Sequence, residues 1–191
     1  MLGQVIKYVL LAFCILFFGG RTVAQAAPSD ESRIAEELVA MELRDQEVRS
    51  AQKVDVKEVL RVDARNTHRL NEIMKSMGWP RISAVGKKAA DAAALLALHA
   101  DRNPQFQRRA LELMQPLVEM KEVDPEQFAY LWDRTHIPQR FGTQGGCFGT
   151  GWLPDEVEDA PHVEARRAAM GMRPLSEYVA IASEMLCRVR Q

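Results

Sequence analysis

Apolar residues recur with helical spacing through most of the chain after Ser29, and this pattern is the strongest constraint on the fold. Helix-ending and helix-starting residues divide it: Gly78 ends one stretch, and Asn103-Pro104 and Asp124-Pro125 begin others. The Ala-rich stretch Ala89–Ala100 allows close packing and is therefore predicted to lie at the centre. The sequence thus predicts a mainly α, compact multi-helix domain.

One segment has a different composition. Residues 138–154 contain five glycines and a proline at each end, which does not suit a helix. Gln139–Thr143 and Phe148–Leu153 are predicted to pair as strands across Gly145-Gly146. We therefore expect one short β-hairpin near residues 139–153.

Residues 1–26 have the three-part pattern of a secretory signal peptide. Lys7 precedes the apolar run Tyr8–Gly20, and Ala24-Gln25-Ala26 offers small residues for cleavage. The run is short for a membrane span, which needs about 20 apolar residues. We expect export to the periplasm or medium, no stable membrane anchor after cleavage, and a single helical domain over residues 27–191.

The charge balance excludes some classes of partner. The chain has 25 basic and 26 acidic residues, for a formal net charge of −1. It therefore lacks the basic excess that nucleic-acid binding uses, and no Lys/Arg-rich amphipathic segment indicates a membrane surface. No nucleophile elbow, zinc-protease helix, Walker loop or dinucleotide fingerprint occurs, so we expect no cofactor. The sequence carries no signal for the oligomeric state.

Two cysteines follow the signal segment, Cys147 in the Gly-rich segment and Cys187 near the C-terminus. In an oxidising compartment such a pair is a candidate disulfide. It would join the Gly-rich segment to the last predicted helix, Pro174–Arg190. The alternative is two reduced thiols, each buried in its own element.

Two polar clusters are candidates for the chemistry. His99 and Asp101 directly follow the apolar run Leu95–Leu98, which places His99 at the edge of the core. Asp133 and Arg134 end another predicted helix. The predicted catalytic groups are His99 as general acid or base with Asp101 or Asp133 as its orienting carboxylate. The alternatives are a histidine that caps a helix and local ion pairs, and the spacing matches no closed metal site.

A third cluster, residues 139–144, alternates polar side chains along a predicted strand. Arg140 could grip an anion with two hydrogen bonds, and Arg167 could form a second clamp. The alternatives are a polar hairpin edge and a surface arginine. The predicted substrate-binding residues are Arg134, Gln139, Arg140, Thr143, Gln144 and Arg167.

The polar motifs, taken together, resemble a bacterial family of domains of unknown function. Their order along residues 56–180 carries the resemblance: Gly78-Trp79-Pro80, His99-Ala100-Asp101, Asp133-Arg134, Gln139–Gln144 and Arg166-Arg167. Phe141 stands where the family pattern has Tyr, which removes one hydroxyl from the region. The resemblance implies that the polar motifs act together, and it implies no activity.

The sequence therefore leaves two functions open. The first is an exported hydrolase that acts on a small molecule or an envelope component through the His99 pair, with Arg and Gln side chains holding an anionic group. The second is a non-catalytic periplasmic protein that binds a ligand or partner, of the inhibitor or immunity type. A pocket with perturbed titratable groups favours the first, and an exposed apolar patch favours the second.

Overall fold

The computed structural model describes residues 29–187, so the predicted signal segment and residues 188–191 lie outside the described residues. Within them the chain is mainly α-helical with a single two-stranded antiparallel hairpin, which confirms the predicted fold class. The elements are α1 Asp30–Ser50, α2 Val56–Met77, α3 Ile82–Val85, α4 Lys87–Leu98, α5 Pro104–Glu119, α6 Pro125–Thr135, β1 Gly145–Phe148, β2 Gly151–Pro154, a 3₁₀ turn Ala160–His162, α7 Val163–Ala169, α8 Leu175–Ala182 and a π-helical turn Ser183–Cys187.

Side-chain caps set where several helices begin and end. The Ser29 hydroxyl accepts a hydrogen bond from the Ser32 N–H at the start of α1, and the Asn103 side chain caps α5 through the Phe106 N–H. Gly78 ends α2 at a φ of 76°, a conformation that favours glycine. The predicted helix end at Gly78 and the predicted helix start at Asn103-Pro104 are confirmed.

Helix α4 forms the centre of the bundle. It packs against α1, α2, α5 and α6. Ala92, Ala93 and Ala97 on this helix are fully buried, and their small side chains let the neighbouring helices approach closely. The predicted central position of the Ala-rich helix is confirmed. Helix α1 packs lengthwise against α4, so residues late in α1 reach the C-terminal end of α4.

The hairpin forms, but with different strands from those predicted. β1 pairs with β2, so Gly149-Thr150 makes the turn and residues 139–143 lie outside the sheet. Gly149 has a φ of 63°, which suits this turn. A Cβ on Gly145 would lie 2.1 Å from the carbonyl oxygen of Leu153, so only glycine fits opposite that strand.

The C-terminal region also differs from the prediction. The last α-helix begins at Leu175, ends at Ala182 and continues as the π-helical turn to Cys187, whereas an α-helix from Pro174 to Arg190 was predicted; the predicted end at Arg190 lies outside the described residues. Cys147 and Cys187 form a disulfide with their Cα atoms 5.4 Å apart. The bond joins β1 to this turn. None of the helices in the part of the chain that the structure describes is long and apolar enough to cross a membrane.

Candidate active site

His99 caps the C-terminal end of α4 and contacts a buried carboxylate from α1. Its Nδ1 lies 2.8 Å from a carboxylate oxygen of Asp45, whose side chain is 0% exposed. The imidazole itself is mostly buried. A carboxylate at Nδ1 orients the ring and favours the tautomer with a proton on that nitrogen. Nε2, which makes no hydrogen bond within residues 29–187, then carries the lone pair.

Arg49 extends this pair toward α2. Its Nε lies 3.2 Å from the Asp45 carboxylate, one turn away on α1, and 3.1 Å from Nδ1 of His99. Because the shorter contact of 2.8 Å gives the Nδ1 proton to Asp45, Nδ1 has no lone pair for the Arg49 N–H, which donates to the carboxylate instead. Its guanidinium also forms an ion pair with Asp63 on α2. The four side chains therefore form one continuous network across three helices. We call Asp63, Arg49, Asp45 and His99 the His99 network.

The two carboxyl groups of this network titrate differently. Burial alone would raise the pKa of Asp45, but the hydrogen bonds and charges of His99 and Arg49 outweigh it and leave the pKa below its ordinary value. For Asp63 burial is the dominant effect, and it raises the pKa despite the Arg49 charge. Asp45 is thus held as a carboxylate, whereas Asp63 accepts a proton more readily than an ordinary aspartate.

An open groove lies beside the His99 network. Its volume is about 380 Å³, within the range of small-molecule sites. One wall is a face of α2 and the other is the turn between α4 and α5. Its polar lining includes Asp63, Thr67, His68, Asn71 and Arg102. Asp63 belongs to both the wall and the network, so the groove and the buried His–Asp pair are connected through it.

Asp101 and Arg134, two of the predicted site residues, lie apart from His99. Asp101 is 58% exposed, and its carboxylate is 3.7 Å from Nε of Arg134. It also accepts a long hydrogen bond of 3.4 Å from Gln107. The carboxylate that hydrogen-bonds His99 is therefore Asp45, a residue that the sequence interpretation did not include, in the place expected for Asp101 or Asp133.

Asp133 is the centre of a second buried polar system. Its side chain accepts hydrogen bonds from the backbone N–H groups of Arg140, Phe141 and Thr143, at 2.8 to 3.2 Å, and from the Thr143 hydroxyl at 2.9 Å. The residue is 3% exposed. Four donors around one carboxylate hold the backbone of residues 140–143 in place. We call Asp133 with Gln139–Gln144 the Asp133 loop.

Gln139 and Gln144 close this loop. The Gln139 side chain donates to the carbonyl oxygens of Gln144 and Asp155 and accepts from the Gln144 N–H, all at 2.8 to 2.9 Å. The Gln144 side chain donates to the Thr143 hydroxyl at 3.0 Å. A smaller cavity of about 260 Å³ borders the loop. The predicted residues Gln139, Thr143 and Gln144 do converge with Asp133, but their polar groups are used by the protein.

The two arginines expected to bind an anion are engaged as well. Arg140 pairs with Glu158 at 2.6 Å and lies 4.8 Å from the centroid of the Trp132 ring. Arg167 is buried, and its Nε donates to the carbonyl oxygen of Arg173 at 2.8 Å. Its Nη1 donates to the carbonyl oxygen of Phe141, and burial lowers its pKa. Arg167 therefore braces the Asp133 loop through the Phe141 carbonyl, and the Arg140 side chain, which belongs to the loop, is held by Glu158.

Three members of the His99 network were missed at the sequence level, namely Asp45, Arg49 and Asp63. One signal could have identified Asp45. The apolar stripe of α1 runs through Leu38, Met41 and Val48. Asp45 occupies the position of this stripe between Met41 and Val48, at the same helical spacing. A charged residue at an inward-facing position needs a buried partner. No comparable signal marks Asp63, because its role depends on how α2 lies against α1.

The fold and the site define a small, mainly α-helical protein with a buried His–Asp pair beside a groove. The chain belongs to a family of unknown function (DUF6624), whose model matches residues 33–187. No curated protein and no solved structure matches the chain. Among residues 29–187, no three His, Cys, Asp or Glu side chains form a group that could hold a metal ion.

Proposed function

We propose that this protein is an exported hydrolase whose acid–base groups are His99 and Asp63. The observation that carries the proposal is the His99 network itself. A histidine held by a fully buried carboxylate is connected through one arginine to a second carboxyl group in the wall of a groove. Perturbed titratable groups beside a cavity are typical of acid–base sites.

In this proposal each group has a different task. Asp45 accepts the Nδ1–H of His99, so Nε2 can take a proton from water, and the resulting hydroxide attacks the substrate. Asp63 can return a proton to the leaving group, because its raised pKa increases the fraction of protonated carboxyl at any given pH. Arg49 contacts both carboxyl groups and acts as a positioning residue.

Export is part of the same proposal. The predicted signal segment supports it, and so does the Cys147–Cys187 disulfide, because disulfides persist mainly outside the reducing cytosol. The substrate would then be a small molecule or an envelope component, as the sequence analysis suggested.

The test is a hydrolysis screen with a matched histidine control. The full chain is expressed, and the purified product is assayed against chromogenic carboxylic esters, phosphate esters, glycosides and amides. Replacing His99 by Gln should lower the rate on the active compounds by about 100-fold, since it removes the general base. His162→Gln is the control, because His162 is an exposed histidine whose side chain pairs, within residues 29–187, only with Asp159, a carboxylate that also pairs with Arg166.

Equal rates for the wild-type protein and His99→Gln on every compound would contradict the proposal. The N-terminus of the product, read by mass spectrometry, tests the export part separately. A mature chain that begins at Ala27 is the expected result, and an unprocessed Met1 in cells with active secretion would contradict it.

One observation favours the non-catalytic alternative. An apolar groove of about 510 Å³ lies between α1 and the α3–α4 junction, lined by Val39, Leu43, Val85 and Ala89 among others. Leu43 is 63% exposed. A large apolar side chain in an open groove is typical of a surface that binds a partner. This function becomes the better one if His99→Gln changes no rate in the screen.

A further inference from the structure

The groove beside the His99 network contains polar side chains for which the chain supplies no partner. Thr67, Asn71 and Arg102 all line it. Within residues 29–187 their side chains make no hydrogen bond and no ion pair. Polar groups gathered around a cavity without internal partners are available to a ligand.

Thr67 is the most informative of the three. The residue is only 8% exposed, and its hydroxyl makes no hydrogen bond within residues 29–187 but is not among the fully buried polar atoms, so it is open to the groove. A helical threonine commonly satisfies its hydroxyl at a carbonyl of the preceding turn. Thr135 does so in this protein, but Thr67 does not. The hydroxyl is therefore available to donate a hydrogen bond to an acceptor that a ligand brings into the groove.

The charges along the groove indicate the sign of the ligand. Asp63 is the carboxyl group in the wall; it shares Arg49 with Asp45, and burial raises its pKa, so it accepts a proton more readily than an ordinary aspartate. Arg102 is a full positive charge with no counterion in the described part of the chain. His68, on the α2 wall of the groove, is largely exposed, and its Nδ1 lies 4.0 Å from a carboxylate oxygen of Glu72. The unmet charge of the groove is therefore positive, and a guanidinium pairs best with an oxyanion.

We propose that the groove binds an oxyanion group of the substrate, a carboxylate or phosphate, through Arg102, with Thr67 and Asn71 supplying further hydrogen bonds. The inference rests on the proposed function, since it names the substrate class of the same groove. The compound hydrolysed would be an ester or amide that carries a negative charge at one end. Arg102 takes the role that the sequence suggested for Arg140.

The test measures anion binding directly and does not depend on activity. The ¹⁵N-labelled protein is titrated with sodium phosphate, and separately with sodium acetate, at constant pH and ionic strength, while backbone amide shifts are followed by NMR. Saturable shifts are expected at Thr67 and Asn71. Arg102→Gln should weaken the apparent affinity by about tenfold or more, because a charge-assisted hydrogen bond is lost.

Arg108→Gln is the matched control. Arg108 is an exposed arginine on α5 that does not line the groove, so its loss changes the net charge equally and should leave the affinity nearly unchanged. Tighter binding of phosphate than of acetate supports the subsite and selects phosphate-bearing substrates, and the reverse order supports it and selects carboxylates. No saturable shift with either anion, or equal weakening in both arginine variants, would overturn it.

The same titration on His99→Gln separates this inference from the proposed function. If this variant binds the anion like the wild-type protein but has lost hydrolysis, the hydrolase proposal and the anion subsite are both supported. If hydrolysis is unchanged in His99→Gln while Arg102→Gln has lost anion binding, the hydrolase fails and the anion subsite stands.

Discussion

Asp45 and Asp133 are both almost inaccessible to solvent, yet they are stabilised in opposite ways. Asp45 contacts the ionisable side chains of His99 and Arg49 and is connected to an open groove. Asp133 contacts three backbone N–H groups and the hydroxyl of Thr143. The two carboxylates are buried to a similar extent, and they differ in the groups that donate hydrogen bonds to them.

The donors determine what each carboxylate can do. Backbone N–H groups do not titrate, so the hydrogen bonds to Asp133 order residues 140–143 and leave no proton to exchange. The imidazole beside Asp45 has a second ring nitrogen, Nε2, that makes no hydrogen bond within residues 29–187. Burial of a carboxylate is therefore no guide to function by itself, and the histidine partner is what makes the His99 network the candidate site.

The largest effect is expected for Asp133→Ala, which should lower the free energy of unfolding by about 4 kcal/mol. The substitution leaves three buried N–H groups and one hydroxyl without an acceptor. Urea unfolding followed by circular dichroism measures the change. Asp101→Ala, at an exposed carboxylate, should stay within about 0.5 kcal/mol of the wild-type protein.

The comparison also predicts that the rate of hydrolysis per folded molecule changes little in Asp133→Ala. A stable Asp133→Ala protein that had lost activity would give the Asp133 loop a chemical role and would break the distinction drawn here. A destabilisation no larger than that of Asp101→Ala would show that the backbone of residues 140–143 does not depend on this carboxylate.

How much of this could be predicted from the sequence differed between the two regions. The helices followed from local signals, because a cap such as Ser29 and the apolar spacing act within one or two turns. The convergence of Asp133 with Gln139 and Thr143 was within reach, since these residues are close along the chain. The register of the hairpin could not be predicted in this way. Its strands are selected by the close approach at Gly145 and by residues 140–143, which bind Asp133 instead of pairing as a strand.

The His99 network shows where sequence reasoning stops. His99 and Asp45 are 54 positions apart and come together only because α1 packs along α4. Asp101, the nearest carboxylate in sequence, follows the helix end and turns toward solvent and Arg134. Proximity along the chain favoured Asp101, whereas helix packing selected Asp45. Such a pair is predictable only when an inward-facing charge is noticed and its partner is sought on other helices.

An intermediate effect is expected for Asp45→Asn, and it should depend on pH. The folded-state pKa of Asp45 lies below its ordinary value of 3.8, so its charge stabilises the fold above about pH 4, and this contribution is lost as pH falls through the folded-state pKa. We expect a loss of about 2 kcal/mol at pH 7 that shrinks toward acid. Unfolding curves from pH 7 to pH 3 measure it.

Asp45→Asn should also lower the hydrolysis rate, because an amide side chain no longer favours the Nδ1–H tautomer of His99. The same substitution at Asp101 serves as its control. A stability loss in Asp45→Asn that is constant from pH 7 to pH 3 would mean that packing, and not the charge, is what Asp45 contributes. Asp45 and Asp133 would then both contribute to the structure alone.

The smallest effect is expected for Arg140→Gln, and it tests the Asp133 loop as a ligand site. The Arg140–Glu158 pair is well exposed to solvent, so screening weakens the attraction between the two charges. Losing this pair together with the contact over Trp132 should lower the free energy of unfolding by less than about 1 kcal/mol. In the phosphate titration Arg140→Gln should behave like the wild-type protein, because its guanidinium already serves Glu158 and the Trp132 ring. Loss of phosphate binding in this variant, with Arg102→Gln unaffected, would move the anion site to the loop. Equal behaviour of Arg140→Gln and the wild-type protein would instead leave the loop with backbone order alone, since the side chains of Asp133, Gln139 and Thr143 are already hydrogen-bonded within the fold.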